Sequence, residues 1–119
     1  MRTLIGLGRS AAAVDAARSG LAQAQRWGTA SVAGSAQRSL GEALDSAGDD
    51  DCLTALANAS TLLEQASRPL EWARTAVSWG SALRRRGHVI DARPLLTRAA
   101  GIADDRGCHG LAERALSEL

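Results

Sequence analysis

The sequence contains few aromatic residues and little proline. Only 3% of its 119 residues are aromatic, all of them tryptophan, and the apolar 45% comes mainly from alanine and leucine. Because β-strands are enriched in aromatic and β-branched residues, this composition argues against a β-sheet. We therefore expect an all-α fold and, at this length, a single domain spanning residues 1–119 around one core.

Two further absences restrict the class of protein. No run of 18 apolar residues occurs, and the N-terminus reads poorly as a secretory signal, so no membrane association is expected. The formal net charge is only +1, from 14 basic and 13 acidic side chains. Freely acting nucleic-acid binders usually carry a clear basic excess. Direct nucleic-acid binding by this chain is therefore not expected.

Cysteine is also scarce, with Cys52 and Cys108 separated by 56 positions. Small disulfide-stabilised secreted domains are much denser in cysteine, and no group of residues here has metal-ligand spacing. We predict two reduced thiols in a cytoplasmic protein without metal or cofactor. One thiol is expected to pack as a small apolar residue.

Glycine, in contrast, is frequent and marks an internal repeat. The stretch LGEALDSAG aligns with WGSALRRRG at an offset of 39, and LIGLG forms a truncated copy at the start of the chain. Gly41 and Gly80 fall inside predicted helices, where glycine costs about 1 kcal/mol relative to alanine. They are expected where a neighbouring helix approaches closely. The closing glycines, Gly8, Gly48 and Gly87, are expected to end their helices in a left-handed conformation.

Each closing glycine is followed by a second helix with its own recurring positions. A small residue lies near its start, at Ala13, Cys52 and Ala92, and Leu56 and Leu96 are expected in the core behind the last two. This alternation predicts a tetratricopeptide-like right-handed stack of antiparallel hairpins with about six or seven helices. The hairpins are predicted at 1–28, 30–67 and 69–107, with helices near 1–7, 11–27, 30–46, 52–66, 69–86, 90–106 and 109–118.

The run Arg84, Arg85 and Arg86 raises the question of a phosphate-binding patch. The run precedes Gly87 at the predicted end of a helix, where positive charge complements the helix dipole. No aromatic residue lies among the arginines to stack on bases. We interpret the run as a capped hairpin turn, with one arginine directed towards a partner helix or groove and the other two directed outwards.

With the repeat defined, the C-terminal part resembles a known family. The elements ALRRRGHVIDARPLL, ADDRG and LAERALSEL are similar to the helical-repeat region of large actinobacterial LuxR-family regulators, and residues 20–67 look like the preceding repeat. In that family an ATPase precedes the repeats and a helix-turn-helix follows them. The sequence contains no G-x-x-x-x-G-K-[ST] phosphate loop and no recognition helix, so the resemblance covers only the middle module.

The resemblance implies a non-enzymatic interaction or signal-sensing module that receives a protein partner or a small-molecule effector. The alternative is a stand-alone ligand-binding protein or a small enzyme with cyclase- or isomerase-like acid–base chemistry in the repeat groove. For that chemistry the weak candidates are His88, His109, Glu42, Asp45 and Asp91. The predicted groove positions are Ser35, Arg38, Glu42, Asp45, Arg74, Val77, Trp79, Ser81, Arg84 and Arg85.

Three expectations about these positions remain open. Acidic groups of one hairpin are expected to face basic groups of the next, either as intramolecular ion pairs or as a groove for a ligand. Trp79 replaces the leucine that Leu40 supplies, and we interpret it as a larger core residue, although with Trp72 it could form one pocket wall. Apolar ends, including Leu111, Leu116 and Leu119, make a homodimer plausible.

Overall fold

The computed structural model describes residues 4–119, with side chains from residue 10 onward. Within that range the chain forms helices and turns and no β-strand, which confirms the all-α prediction. The helices are α1 (Leu4–Trp27), α2 (Ala30–Ser46), α3 (Cys52–Gln65), α4 (Pro69–Arg85), α5 (Val89–Asp105) and α6 (His109–Ser117).

Each helix packs mainly against the helices that precede and follow it in the chain. The most extensive pairs are α2 with α3 and α4 with α5. In addition, α2 contacts α4 and α4 contacts α6, so these three helices lie side by side. The molecule measures 40 × 38 × 22 Å along its principal axes. Helices that are consecutive in the chain are therefore neighbours in space, and α2, α4 and α6 share one face of the molecule.

The turns between helices repeat a single backbone device. Gly48, Gly87 and Gly107 adopt φ values of +77°, +83° and +73°, in the left-handed region that favours glycine. At each of these sites the next residue donates its N–H to a carbonyl in the last turn of the preceding helix, for example His88 to Leu83 at 2.8 Å. This pattern is the Schellman cap. The prediction that Gly48 and Gly87 close their helices is confirmed.

The glycines inside α2 and α4 permit close helix contact, as predicted. A Cβ on Gly41 would lie 2.6 Å from Cγ of Leu56, and one on Gly80 would lie 2.7 Å from Cγ of Leu96. Both leucines are almost fully buried. The repeat therefore places a glycine of one helix against a leucine of the next at both Gly41 and Gly80.

The second helix of each of these hairpins begins with the expected small residue. Cys52 is fully buried and Ala92 is 2% exposed. Burial raises the pKa of the Cys52 thiol, because the thiolate would lose its hydration. The prediction that one cysteine packs as an apolar residue is therefore confirmed.

The predicted break near Gly8 is wrong. The single helix α1 continues from Leu4 to Trp27, so the expected hairpin 1–28 does not form. One glycine inside a helix costs only about 1 kcal/mol, and the alanine-rich segment that follows strongly favours continued helix. As a result Ala13, expected at a helix crossing, is exposed. Residues 1–3 of the predicted helix 1–7 lie outside the described residues.

Candidate functional site

The face shared by α2, α4 and α6 contains a groove made of two adjoining cavities. The first, which we call the arginine cavity, has a volume of about 480 Å³. Its lining residues are Arg38, Glu42, Arg74, Ser78, Gly110, Leu111 and Arg114. All three helices contribute a guanidinium group, so the cavity exists only where the three helices meet.

The second cavity, which we call the hydroxyl cavity, has a volume of about 260 Å³. Its lining residues are Glu42, Asp45, Ser46, Leu56, Ser78, Ser81, Arg85, Arg114 and Glu118. Glu42, Ser78 and Arg114 line both cavities, which therefore form one continuous groove. Three serines lie along this part of the groove, and their hydroxyls can both donate and accept hydrogen bonds.

Most residues predicted to face the groove lie in it. Those that line one or both cavities are Arg38, Glu42, Asp45, Arg74, Ser81 and Arg85. Arg84 lies beside the groove, 3.6 Å from the carboxylate of Glu118, the residue that follows α6. Ser35 is half-buried and lines neither cavity.

Val77 and Trp79 do not face the groove, and their assignment as groove residues was wrong. Val77 is 1% exposed and belongs to a core cluster that includes Ala115 of α6, so the last helix covers it. Trp79 is half-buried and packs against two core clusters, one centred on α2 and α3 and the other on α4 and α5. The interpretation of Trp79 as a larger core residue between hairpins is supported, since it bridges the two.

Trp72 and Trp79 do not form a common wall. Trp72 is 5% exposed and belongs to a different core cluster from those against which Trp79 packs. Its ring borders a separate cleft of about 260 Å³ near the α3–α4 turn. The guanidinium of Arg98 lies 4.0 Å from the ring centroid and covers it. The stacked arginine therefore occupies the aromatic surface that a ligand would need.

Arginines at the end of α4 form ion pairs with aspartates at the end of α2 and in the α2–α3 turn. Arg86 donates to Asp45 and to Asp50, each at 2.7 Å, and to the carbonyl of Ala82 at 3.2 Å. Arg85 also pairs with Asp45. The hydrogen bonds to Asp45 and then Asp50 raise the pKa of the Arg86 guanidinium. The side chain of Arg86 is 16% exposed, and both Arg85 and Arg86 contact Asp45. The expectation that only one arginine of the run points towards the partner hairpin is therefore wrong, because two of them do.

Acidic and basic groups of successive hairpins face each other, as expected. Besides the contacts of Arg86, Arg38 of α2 lies 3.2 Å from Glu71 of α4. Glu71 is also 3.8 Å from Arg74. Two arginines that line the arginine cavity therefore share one carboxylate.

The residues proposed for acid–base chemistry are not brought together. Glu42 and Asp45 line the groove, whereas His88, Asp91 and His109 are exposed at the beginnings of α5 and α6. The only ion-pair geometry for His109 in the described part of the chain is with Asp104, at 3.7 Å. No histidine lines either cavity of the groove.

The repeat of 39 does not predict the contribution of the last helix to the groove. Gly110, Leu111 and Arg114 of α6 line the groove, as do Glu118 just after α6 and Ser78 of α4. Arg38, Arg74 and Gly110 are spaced by 36 residues, and so are Glu42, Ser78 and Arg114. A spacing of 36 in the sequence therefore predicts these groove positions, whereas the offset of 39 relates the glycines at the helix contacts, Gly41 and Gly80.

Comparisons with other proteins do not identify a relative. No family model, curated protein or solved structure matches the chain. Within the described residues, no helix has the length and apolar character needed to cross a membrane, and no cluster of three potential metal-ligating side chains occurs. The geometry of the groove is therefore the basis for a functional proposal.

Proposed function

We propose that the protein is a non-enzymatic helical-repeat module that binds a protein partner in the groove formed by α2, α4 and α6. In this proposal the hairpins form a tetratricopeptide-like right-handed stack. Packing between successive helices and the recurring glycine–leucine contacts at Gly41 and Gly80 support it. In such stacks the first helices of the hairpins line the concave face, which is the usual binding surface.

The groove is the observation that carries the proposal. Its two cavities are lined by charged and hydroxyl side chains from three separate helices. Polar groups from several elements that converge on one concavity can fix the orientation of a ligand. An elongated groove open to solvent suits a peptide segment better than a small molecule, which is usually largely enclosed.

We further propose that the module is related to the repeat region of LuxR-family regulators and acts in the cytoplasm. The turn ALRRRGHVIDARPLL and the closing LAERALSEL support this relationship. In this proposal the module passes a binding signal to other domains. ATP hydrolysis and DNA binding are not assigned to any residue of this chain.

Self-association is a separate proposal about the ends of the molecule. Trp27 is 82% exposed near one end, and Leu116 and Leu119 are 58% and 43% exposed near the other, whereas Leu111 is half-buried against the core. Exposed apolar side chains of this kind favour a homodimer. Light scattering over a range of concentrations would show a dimer, and a clean monomer at high concentration would count against it.

Peptide selection by phage display tests the binding function. Ser78 lines both cavities, so Ser78→Trp should fill the groove and abolish binding of the selected peptides. Thr97→Trp is the control, because Thr97 is exposed on α5 and lines neither cavity. Circular dichroism would verify that both variants fold. If selected peptides bind wild type and Ser78→Trp equally well, the groove is not the binding site.

A further inference from the structure

Three arginines from three different helices converge on the arginine cavity. Arg38 comes from α2, Arg74 from α4 and Arg114 from α6. All 14 basic residues of the chain are arginine. A guanidinium offers two parallel donors that match the two oxygens of a carboxylate. The cavity therefore presents several forked donors to one volume.

The positive charge of this cavity is not fully balanced within the protein. Glu71 is shared between Arg38 and Arg74, and Glu42 lies 3.6 Å from Nε of Arg38. Among the side chains described, Arg114 forms no ion pair. Three guanidiniums therefore face two carboxylates.

One donor in the cavity wall lacks an acceptor. Nε of Arg38 is buried and has no hydrogen-bond partner in the described part of the chain. A buried donor without an acceptor is unfavourable, because it has lost its water without replacement. An additional anionic oxygen in the cavity would offset the charge imbalance, and a shift of the Arg38 side chain would be needed for the buried Nε to donate to it.

The first turn of α6 forms part of the same cavity wall. Gly110 and Leu111 lie in that turn, and Cys108 before it provides no side-chain cap. The N–H groups at the start of a helix have no partner within the helix and favour a negative charge. A Cβ on Gly110 would meet nothing within 4 Å, so the backbone there is open to a ligand.

We propose that the arginine cavity is an anion subsite that holds a carboxylate of an acidic peptide. This inference rests on the proposed peptide-binding function of the groove. From Arg38 to Ser46 the groove follows nine residues of α2, and the eight steps between them span about 12 Å at 1.5 Å each. That length fits about three to four residues of extended peptide at 3.3 Å each. The serines of the hydroxyl cavity can bond to the peptide backbone.

Glu71 acts in this proposal as an internal competitor. Its carboxylate already contacts two of the three arginines, so a peptide carboxylate must compete with it. Removing the charge of Glu71 should therefore strengthen binding of an acidic peptide. An arginine cluster with a purely structural role would not show this gain.

Fluorescence anisotropy with fluorescein-labelled tetraglutamate tests the subsite, and tetraglutamine serves as the neutral probe. We expect tetraglutamate to bind at least about tenfold more tightly than tetraglutamine, and Arg74→Gln and Arg114→Gln to weaken it about tenfold each. Glu71→Gln should strengthen binding severalfold. Arg93→Gln on α5 and Arg106→Gln just after it, both at exposed positions outside the groove, should leave it unchanged. Rising salt should weaken binding to wild type.

The alternative outcomes separate the two proposals. If both peptides bind equally and Ser78→Trp abolishes binding while the arginine variants do not change it, the anion subsite is wrong and the groove function stands. If neither probe shifts the amide resonances of groove residues, and display-selected peptides bind elsewhere, both proposals fail. If citrate or inorganic phosphate displaces tetraglutamate at equal concentration, the subsite takes a small anion and the peptide assignment is wrong.

Discussion

At the scale of single residues, a helical glycine in this protein has one of two environments. Gly80 of α4 faces the buried side chain of Leu96, so an added methyl group would overlap it. Gly101 of α5 is exposed, and an added Cβ would have no atom within 4 Å. The same substitution should therefore have opposite effects on stability at the two positions.

We expect Gly80→Ala to lower the free energy of unfolding by about 1 kcal/mol, because overpacking costs roughly 1–3 kcal/mol and the gain in helix propensity offsets part of it. Gly101→Ala should raise that free energy by about 0.5–1 kcal/mol. Urea denaturation of both variants measures the difference. Equal stabilisation by the two substitutions would show that Leu96 can move aside and that the close contact is not a constraint.

The two cysteines should differ sharply in reactivity. Cys52 is fully buried and its thiol pKa is raised by that burial, whereas Cys108 is half-buried next to the start of α6. The thiolate is the reactive form, so reaction with a disulfide reagent at pH 8 should release one equivalent quickly and the second only with unfolding. The Cys108→Ser variant should lose the fast phase. A fast phase that persists in this variant would contradict the burial of Cys52.

The raised pKa of Cys52 also has a consequence for pH. Below the ordinary thiol pKa both the folded and the unfolded chain hold the proton, so this residue does not make stability depend on pH there. As the pH rises past that value, the unfolded chain loses the proton first. The stability contributed by the neutral buried thiol is therefore lost in the alkaline range. Urea midpoints of wild type and Cys52→Ala between pH 7 and 10 should converge as the pH rises.

Glycines in the sequence predicted a close helix contact or a helix end only where the full motif, with its internal and its closing glycine, was repeated. Gly41 and Gly80 recur at the same place before a closing glycine, and both proved to lie against a leucine. Gly8 had only a truncated copy of the motif, and the alanines after it carry the helix onward. A glycine permits a left-handed turn, but packing of a second helix against the first is needed to favour one.

At the scale of helices, the contact between the end of α4 and the α2–α3 turn depends on Asp45. Its side chain is 14% exposed and accepts hydrogen bonds from Arg85 and Arg86. By contrast, the pair formed by Arg98 and Glu64 is more than half exposed on both sides. Partly buried charged hydrogen bonds contribute more to stability than exposed ion pairs.

We therefore expect Asp45→Asn to lower the free energy of unfolding by about 1–3 kcal/mol. The matched variant Glu64→Gln should change it by less than about 0.5 kcal/mol. Thermal and urea unfolding at low salt measure both effects. Similar small losses in the two variants would show that the contact of Asp45 with the arginines contributes little to holding the hairpins together.

The groove was predictable from the sequence on one side only. The repeat predicts the charged positions on α2 and α4, but at an offset of 39 it also predicts Val77, the equivalent of Arg38, as a groove residue. The offset does not take into account which helices flank each position. Because α4 lies between α2 and α6, Val77 of α4 is covered by α6. Arg114 of α6 lines the groove instead. Neighbour contacts of this kind are not encoded by the period alone.

At the scale of the whole molecule, packing between chain neighbours implies uneven local stability. From residue 10 onward, α1 has only Ala24 buried, and its helix contacts are made with α2. In contrast, α4 has nine buried residues and contacts α2, α3, α5 and α6. In a stack of repeats, an element with one neighbour opens more easily than an element with several.

We expect amide hydrogens of residues 14–27 in α1 to exchange at least about tenfold faster than those at the centre of α4, because local opening of α1 exposes little apolar surface. Hydrogen–deuterium exchange followed by NMR measures this difference. The measurement should be repeated at several protein concentrations, since a dimer that buries Trp27 would slow exchange in α1 as concentration rises. Equal, concentration-independent protection of α1 and α4 would mean that both open only by global unfolding. The molecule would then behave as one cooperative unit, and removing α1 would destabilise the groove although α1 does not line it.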